Sequence, residues 1–173
     1  AVDAKKKGLG RKGAGYAGYC WKSYGGILFP IVGSDGVRSS IKSGGAHMPQ
    51  EVAIQTAVFT RHGCDRIIRF AFELARKRNK KKKVLSITKS NAMGYGMVLW
   101  DRVFESISRE YPDVSTESLL IDAACMDFIR RPESFDVVVA SNLFGDILTD
   151  IGAIISGSMG LAPSGNINPE KRF

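Results

Sequence analysis

From residue 51 onward, apolar positions recur with two alternating periods. EVAIQTAVF (51–59) alternates in part and predicts a strand, and DRIIRFAFELARKRN (65–79) sets Ile67, Phe70, Ala71, Leu74 and Ala75 on one helical face. KVLSIT (83–88) is a short apolar strand that runs into the turn TKSN. Met93, Met97, Trp100, Phe104 and Ile107 then recur at helical spacing and predict a long helix ending before Tyr111 and Pro112, its stripe facing the core. ESLLID predicts a strand, DAACMDFIRR a short helix and FDVVVA a buried strand. LFGDILTDIGAIIS follows as a helix, with Ser141 and Asn142 as candidate caps. Strands and helices alternate, which predicts a layered α/β domain over 51–157.

Residues 1–50 carry no such period and hold 11 of the 19 glycines. GLGRKGAGYAG has glycines spaced like a phosphate-cradling loop, but no strand precedes it. GILFPIV (26–32) is interrupted by Pro30, which predicts an edge strand or a loop.

Composition is that of a soluble globular chain, with no apolar run of membrane-spanning length and no secretory leader, so the expected setting is cytoplasmic. Cys20, Cys64 and Cys125 are widely spaced and lack a CxxC pair, so they are expected to be free thiols. The net charge of +8 divides unevenly, with 19 Lys and Arg against 5 acids over residues 1–90 and 6 against 12 over 91–173. AKKKGLGRK and RKRNKKKK concentrate the basic excess. Neither run carries the aromatic residues that stack on bases, so nucleic acid is not the expected partner. RKRNKKKK at a helix end complements the helix dipole as a solvated run.

The candidate chemistry lies after the strands. Asp146 and Asp150 stand one helical turn apart among apolar residues, where like charges repel unless something offsets them. Asp122 follows SLLI at another strand end. Three carboxylates suit a hard divalent ion, Mg2+ or Mn2+; otherwise Asp146 is an acid favoured by the helix dipole and Asp150 is solvated. Lys89, just past VLSIT, is either a proton-transfer group or a surface turn lysine. Asn91 either binds a ligand or caps the next helix. His47 and His62 have no partner spacing and are expected to be structural or exposed, and no GxSxG, HExxH or P-loop occurs.

VFTRHGCDRIIRFAFELARKR, SITKSNAMGYG and the run from LLIDAACMDFIRR to SGNINPE resemble the isocitrate and isopropylmalate dehydrogenase family, with SNLFGDILTD most similar to its tartrate and D-malate (decarboxylating) branch. The resemblance implies oxidation of a small 2-hydroxy acid with NAD and Mg2+ or Mn2+. It implies metal binding by Asp122, Asp146 and Asp150, proton transfer by Lys89, and Asn91 beside the substrate and nicotinamide. It further implies a homodimer whose site is shared, with Lys89 and Asp122 from one subunit and Asp146 and Asp150 from the other. The expected fold is the isopropylmalate-dehydrogenase-like layered fold, mainly its smaller dimerising domain, with 158–173 starting the return to the nucleotide-binding domain. The family's upstream substrate arginine and tyrosine general acid are replaced by IVGSDGVRSS, which has no tyrosine, so impaired activity is expected. The alternative is a non-catalytic dimeric interaction module whose basic segment binds polyanions.

Overall fold

Among the described residues, eight strands and four α-helices follow one another as β1 (Ala17–Gly18), β2 (Pro30–Gly33), β3 (Ser39–Ser43), β4 (Val52–Thr56), α1 (Arg61–Arg78), β5 (Lys83–Thr88), α2 (Gly96–Ser108), β6 (Ser115–Leu120), α3 (Ile121–Arg130), β7 (Val137–Ser141), α4 (Asn142–Ile155) and β8 (Gly165–Asn166). This computed structural model describes residues 57–158, 160 and 162–166, together with the backbone of strands β1 to β4. AKKKGLGRK, GLGRKGAGYAG up to residue 16, and His47 lie outside the described residues.

Six strands form one sheet in the order β6-β5-β7-β2-β1-β8, while β3 and β4 pair antiparallel by themselves. Strands β6, β5, β7 and β2 are parallel, and β1 runs antiparallel to both β2 and β8. Val137 to Ala140 and Val84 to Thr88 are buried without interruption, as expected of parallel strands covered on both faces. The chain moves from β5 to β6 through α2 and then back across β5 to β7 through α3. Right-handed crossovers therefore place the two helices on opposite faces. α1 packs with α2, and α3 with α4.

Pro30 corrects one expectation. β2 is not an edge strand, since it lies between β7 and β1. Pro30 is its first residue, a position that a residue without an N–H can occupy inside a sheet.

The helices bury most of the stripes that their spacing predicts. In α1, Ile67, Ala71 and Ala75 of the predicted face are buried together with Ile68 and Phe72, while Phe70 and Leu74 are only half-buried. Phe72 stacks on Tyr111 at 4.8 Å between ring centroids and lies 5.6 Å from Phe104 of α2. Met97, Trp100, Phe104 and Ile107 face the core, and Trp100 donates its buried indole N–H to Ser86 Oγ at 2.9 Å. Met93 departs from the stripe, because α2 begins only at Gly96 and Met93 lies exposed in the preceding turn.

The basic run after α1 is not simply solvated. Arg76 pairs with Asp113 and lies over the Tyr111 ring, Lys83 pairs with Glu117 across β5 and β6, and Arg78 pairs with the buried Asp136. Arg69 makes a fork to Glu110, with bonds of 2.6 and 2.8 Å. These bonds tie α1 to the α2–β6 connection and hold the Glu110 and Asp113 carboxyls below their usual range. The stability they add is present above the ordinary carboxylate pKa of about 4 and is lost as the pH falls through the lower folded values. The urea midpoint is therefore expected to fall from pH 5 to pH 2.5, and to fall less in a Glu110→Gln, Asp113→Asn chain.

Candidate active site

Parallel pairing decides which residues meet. Thr88 is level with Leu120 at the carboxyl ends of β5 and β6, so the residues just beyond them, Lys89 and Asp122, are neighbours. Lys89 Nζ donates to Asp122 Oδ1 at 2.6 Å. The ammonium holds the Asp122 carboxyl below its usual range, with the helix-start N–H groups of Asp122 and Ala123 adding to the effect. Asp122 is the second residue of α3 and is exposed, while Lys89 is half-buried.

Lys89 also starts a tight turn, its carbonyl accepting the N–H groups of Ala92 and Met93 at 2.9 and 2.8 Å. That turn presents Asn91 to solvent, with no side-chain hydrogen bond among the described residues. Asn91 is not the cap of α2, which starts after Tyr95. Gly96 fixes where the turn gives way to the helix, because a Cβ there would meet the Phe59 ring at 2.5 Å.

Asp146 and Asp150 both lie on the exposed side of α4. Asn142 Nδ2 donates to Asp146 Oδ2 at 3.4 Å, and neither Ser141 nor Asn142 caps α4 through its side chain. Within one chain, no three His, Cys, Asp or Glu side chains among the described residues are placed to hold a metal ion. The carboxylates instead divide into two sets, Asp122 beside Lys89 and the Asp146 and Asp150 pair.

Both sets sit in apolar surface that the sequence reasoning missed. On α3, Asp122, Met126 and Ile129 follow one another at four and three residues, and the last two are 64% and 69% exposed. On α4, Leu143, Ile147 and Ile154 share the face of Asp146 and Asp150 and are 54%, 42% and 70% exposed. The signal lay in composition: both helices are apolar on more sides than one sheet contact can bury. Because α3 packs against α4, the two stripes belong to one side of the molecule.

Among the described residues Cys64 and Cys125 form no disulfide, and Cys20 lies outside those residues. Burial pushes the Cys125 thiol up, and nearby Asp122 adds to the shift, so it packs as a neutral side chain. No helix among the described residues is long and apolar enough to cross a membrane.

The chain is similar to known proteins over most of its length. The family described as isocitrate/isopropylmalate dehydrogenase matches residues 32–173. A probable tartrate dehydrogenase/decarboxylase of Bacillus subtilis is 54% identical over 123 residues, covering 71% of this chain and 34% of the relative. The D-malate dehydrogenase [decarboxylating] of Escherichia coli is 51% identical over 123 residues, again covering 71% of this chain and 34% of the relative. The chain thus spans about a third of the length of these relatives. The crystal structure of isocitrate dehydrogenase from Methylococcus capsulatus superposes with a TM-score of 0.75 at 32% identity, covering 90% of this chain and 48% of that one.

Proposed function

Because the chain belongs to the isocitrate/isopropylmalate dehydrogenase family, we propose that it is the dimerising and metal-binding part, over 51–157, of a 2-hydroxy acid dehydrogenase of the tartrate or D-malate decarboxylating type. In this reading, 158–173 begins the return to a nucleotide-binding domain. The relatives named for tartrate and D-malate support the substrate class.

One observation carries the reading. Asp122 and the Asp146 and Asp150 pair lie on a shared apolar side of the molecule yet form no metal cluster among the described residues of one chain. Pairing two copies through that side covers Met126, Ile129, Leu143, Ile147 and Ile154. In this reading Asp122 of one chain would meet the partner's Asp146 and the partner's Asp150. The donor set fits Mg2+ or Mn2+, being all carboxylate oxygen and open to approach. A divalent cation held there supplies charge that polarises the hydroxyl and carboxylate oxygens of the bound acid.

The chain's own residues do the rest. In this reading Lys89, beside Asp122 at the carboxyl end of β5, would take the proton of the substrate 2-hydroxyl once it has itself lost a proton, and NAD+ when bound would supply the hydride acceptor. Asn91, exposed two residues on, would orient the substrate and the nicotinamide. The free thiols fit a reducing, cytoplasmic setting.

Calorimetric titration with Mn2+ tests the metal assignment. The unmodified chain is expected to bind, and an Asp146→Asn, Asp150→Asn chain to lose at least tenfold in affinity, the usual worth of a lost charged ligand being about 1.4 kcal/mol or more. Equal binding by the two chains would refute the assignment.

A further inference from the structure

The helix α2 starts without a polar cap. Its first turn holds no acid, and Tyr95 makes no capping hydrogen bond through its side chain. Residues 91–95, which lead into it, are all exposed. Where the connection leaves β5 it is held by hydrogen bonds: Thr88 Oγ1 accepts the Ser90 N–H at 3.3 Å, and the Lys89 carbonyl accepts from Ala92 and Met93. Where it enters α2 the Phe59 ring takes the place of a cap. Phe59 packs against the core, and a Cβ on Gly96 would lie 2.5 Å from Phe59 Cδ2 and 2.8 Å from Cε2. Gly96 does not have the left-handed φ that calls for glycine, so the ring is what excludes a side chain there. A Cβ on Gly94, two residues earlier, would meet nothing within 4 Å.

We infer that Phe59 is a positioning residue of the proposed site: seated on the bare backbone of Gly96, its ring fixes the turn that carries Lys89 and Asn91. The inference rests on the reading of that turn as part of a dehydrogenase site, and adds a residue that acts through the turn rather than on the substrate. Phe59 lies in the short link between β4 and α1, next to Thr60, whose hydroxyl caps α1. Adjacent side chains thus set the starts of two helices, Thr60 by a hydrogen bond and Phe59 by its ring. Trp100, one turn further along α2, is bonded to Ser86 of β5, which keeps α2 from sliding to relieve a crowded start. A methyl at position 96 must therefore displace either the ring, which the close-packed core holds, or the exposed turn, which gives first.

Native-state amide exchange on the full chain tests the contact. Ala92 and Met93, whose N–H groups close the turn, are expected to exchange by opening of the turn, and the core amides of β5 and β7 by global unfolding. Gly96→Ala is expected to speed exchange at Ala92 and Met93 about tenfold or more, the usual effect of crowding one methyl into a filled contact. Phe59→Leu, which thins the contact, is expected to speed it about threefold. Gly96→Ala combined with Phe59→Leu conserves the volume and is expected to bring both amides back to within about twofold of the unmodified chain. A contact that only supports the fold would speed the core amides and leave Ala92 and Met93 unchanged. That result, or single effects that simply multiply in the double variant, overturns the inference. A second arm separates it from the site reading. D-malate with Mn2+ is expected to slow exchange at Ala92 and Met93 in the unmodified and the doubly substituted chains, and to slow it less in Gly96→Ala. Equal slowing in all three leaves the site standing and removes Phe59 from it. If no chain is slowed, the site falls and the positioning role falls with it.

Discussion

Replacing Asp136 with alanine is expected to lower the stability of the chain by about 3–5 kcal/mol, the usual cost of removing one partner of a buried ion pair. Asp136 is 1% exposed, and Arg78, which donates to it through Nε at 3.0 Å, is 13% exposed. Lys83 N–H also approaches the carboxylate, at 3.5 Å. The pair joins the end of α1 to the start of β7, two segments 58 residues apart, at the amino end of the sheet. Without the carboxylate, the Arg78 guanidinium is left in a site with little water. The double change Asp136→Leu, Arg78→Met removes both charges and is expected to recover most of the loss. Urea unfolding measures both, and a loss below about 1 kcal/mol for Asp136→Ala would show that water reaches Arg78 freely.

The second large effect concerns association. Ile129→Asp with Ile154→Asp puts two charges on the exposed apolar sides of α3 and α4. Neither side chain is buried within one chain, so the fold itself is expected to keep its melting temperature within a few degrees. The proposed dimer is expected to dissociate, since burying an unpaired carboxylate at an interface costs several kcal/mol. Sedimentation is then expected to report one chain for the variant and two for the unmodified protein, and Mn2+ binding to be lost with the partner. A variant that remains dimeric would move the interface elsewhere.

Much of the fold from residue 51 was legible because the parallel strands and their helices follow local rules. FDVVVA is apolar throughout since both its faces are covered, and the stripe of Ile67, Ala71 and Ala75 has the helical period. The start of α1 was missed by four residues. Its cap is Thr60, whose hydroxyl accepts the Gly63 N–H at 3.1 Å, and nothing apolar marks Arg61 to Cys64 as helical. The strand after Pro30 was misplaced because a proline inside an apolar run reads as a break, and only the sheet order reveals a first residue. Within the candidate site, the closeness of Lys89 and Asp122 follows from the register of β5 and β6, which no spacing in the sequence specifies. The ion pairs of Arg76, Arg78 and Lys83 were illegible for the same reason, as each partner lies more than thirty residues away. They also take up cations that a polyanion would need, which leaves the interaction-module alternative without structural support in this run.

A metal site divided between two copies of the chain, as proposed, is tested most directly by mixing two defective chains. An Asp122→Asn chain and an Asp146→Asn, Asp150→Asn chain are each expected to bind Mn2+ poorly by calorimetry. In a mixed dimer, one of the two sites joins the intact Asp122 of the second chain to the intact Asp146 and Asp150 of the first. Co-refolding the two in equal amounts is therefore expected to restore tight Mn2+ binding at about one site per mixed dimer, the number that the symmetry of a two-fold pair allows. If the mixture binds no better than either chain alone while mixed dimers form, the three aspartates do not share a metal across the interface.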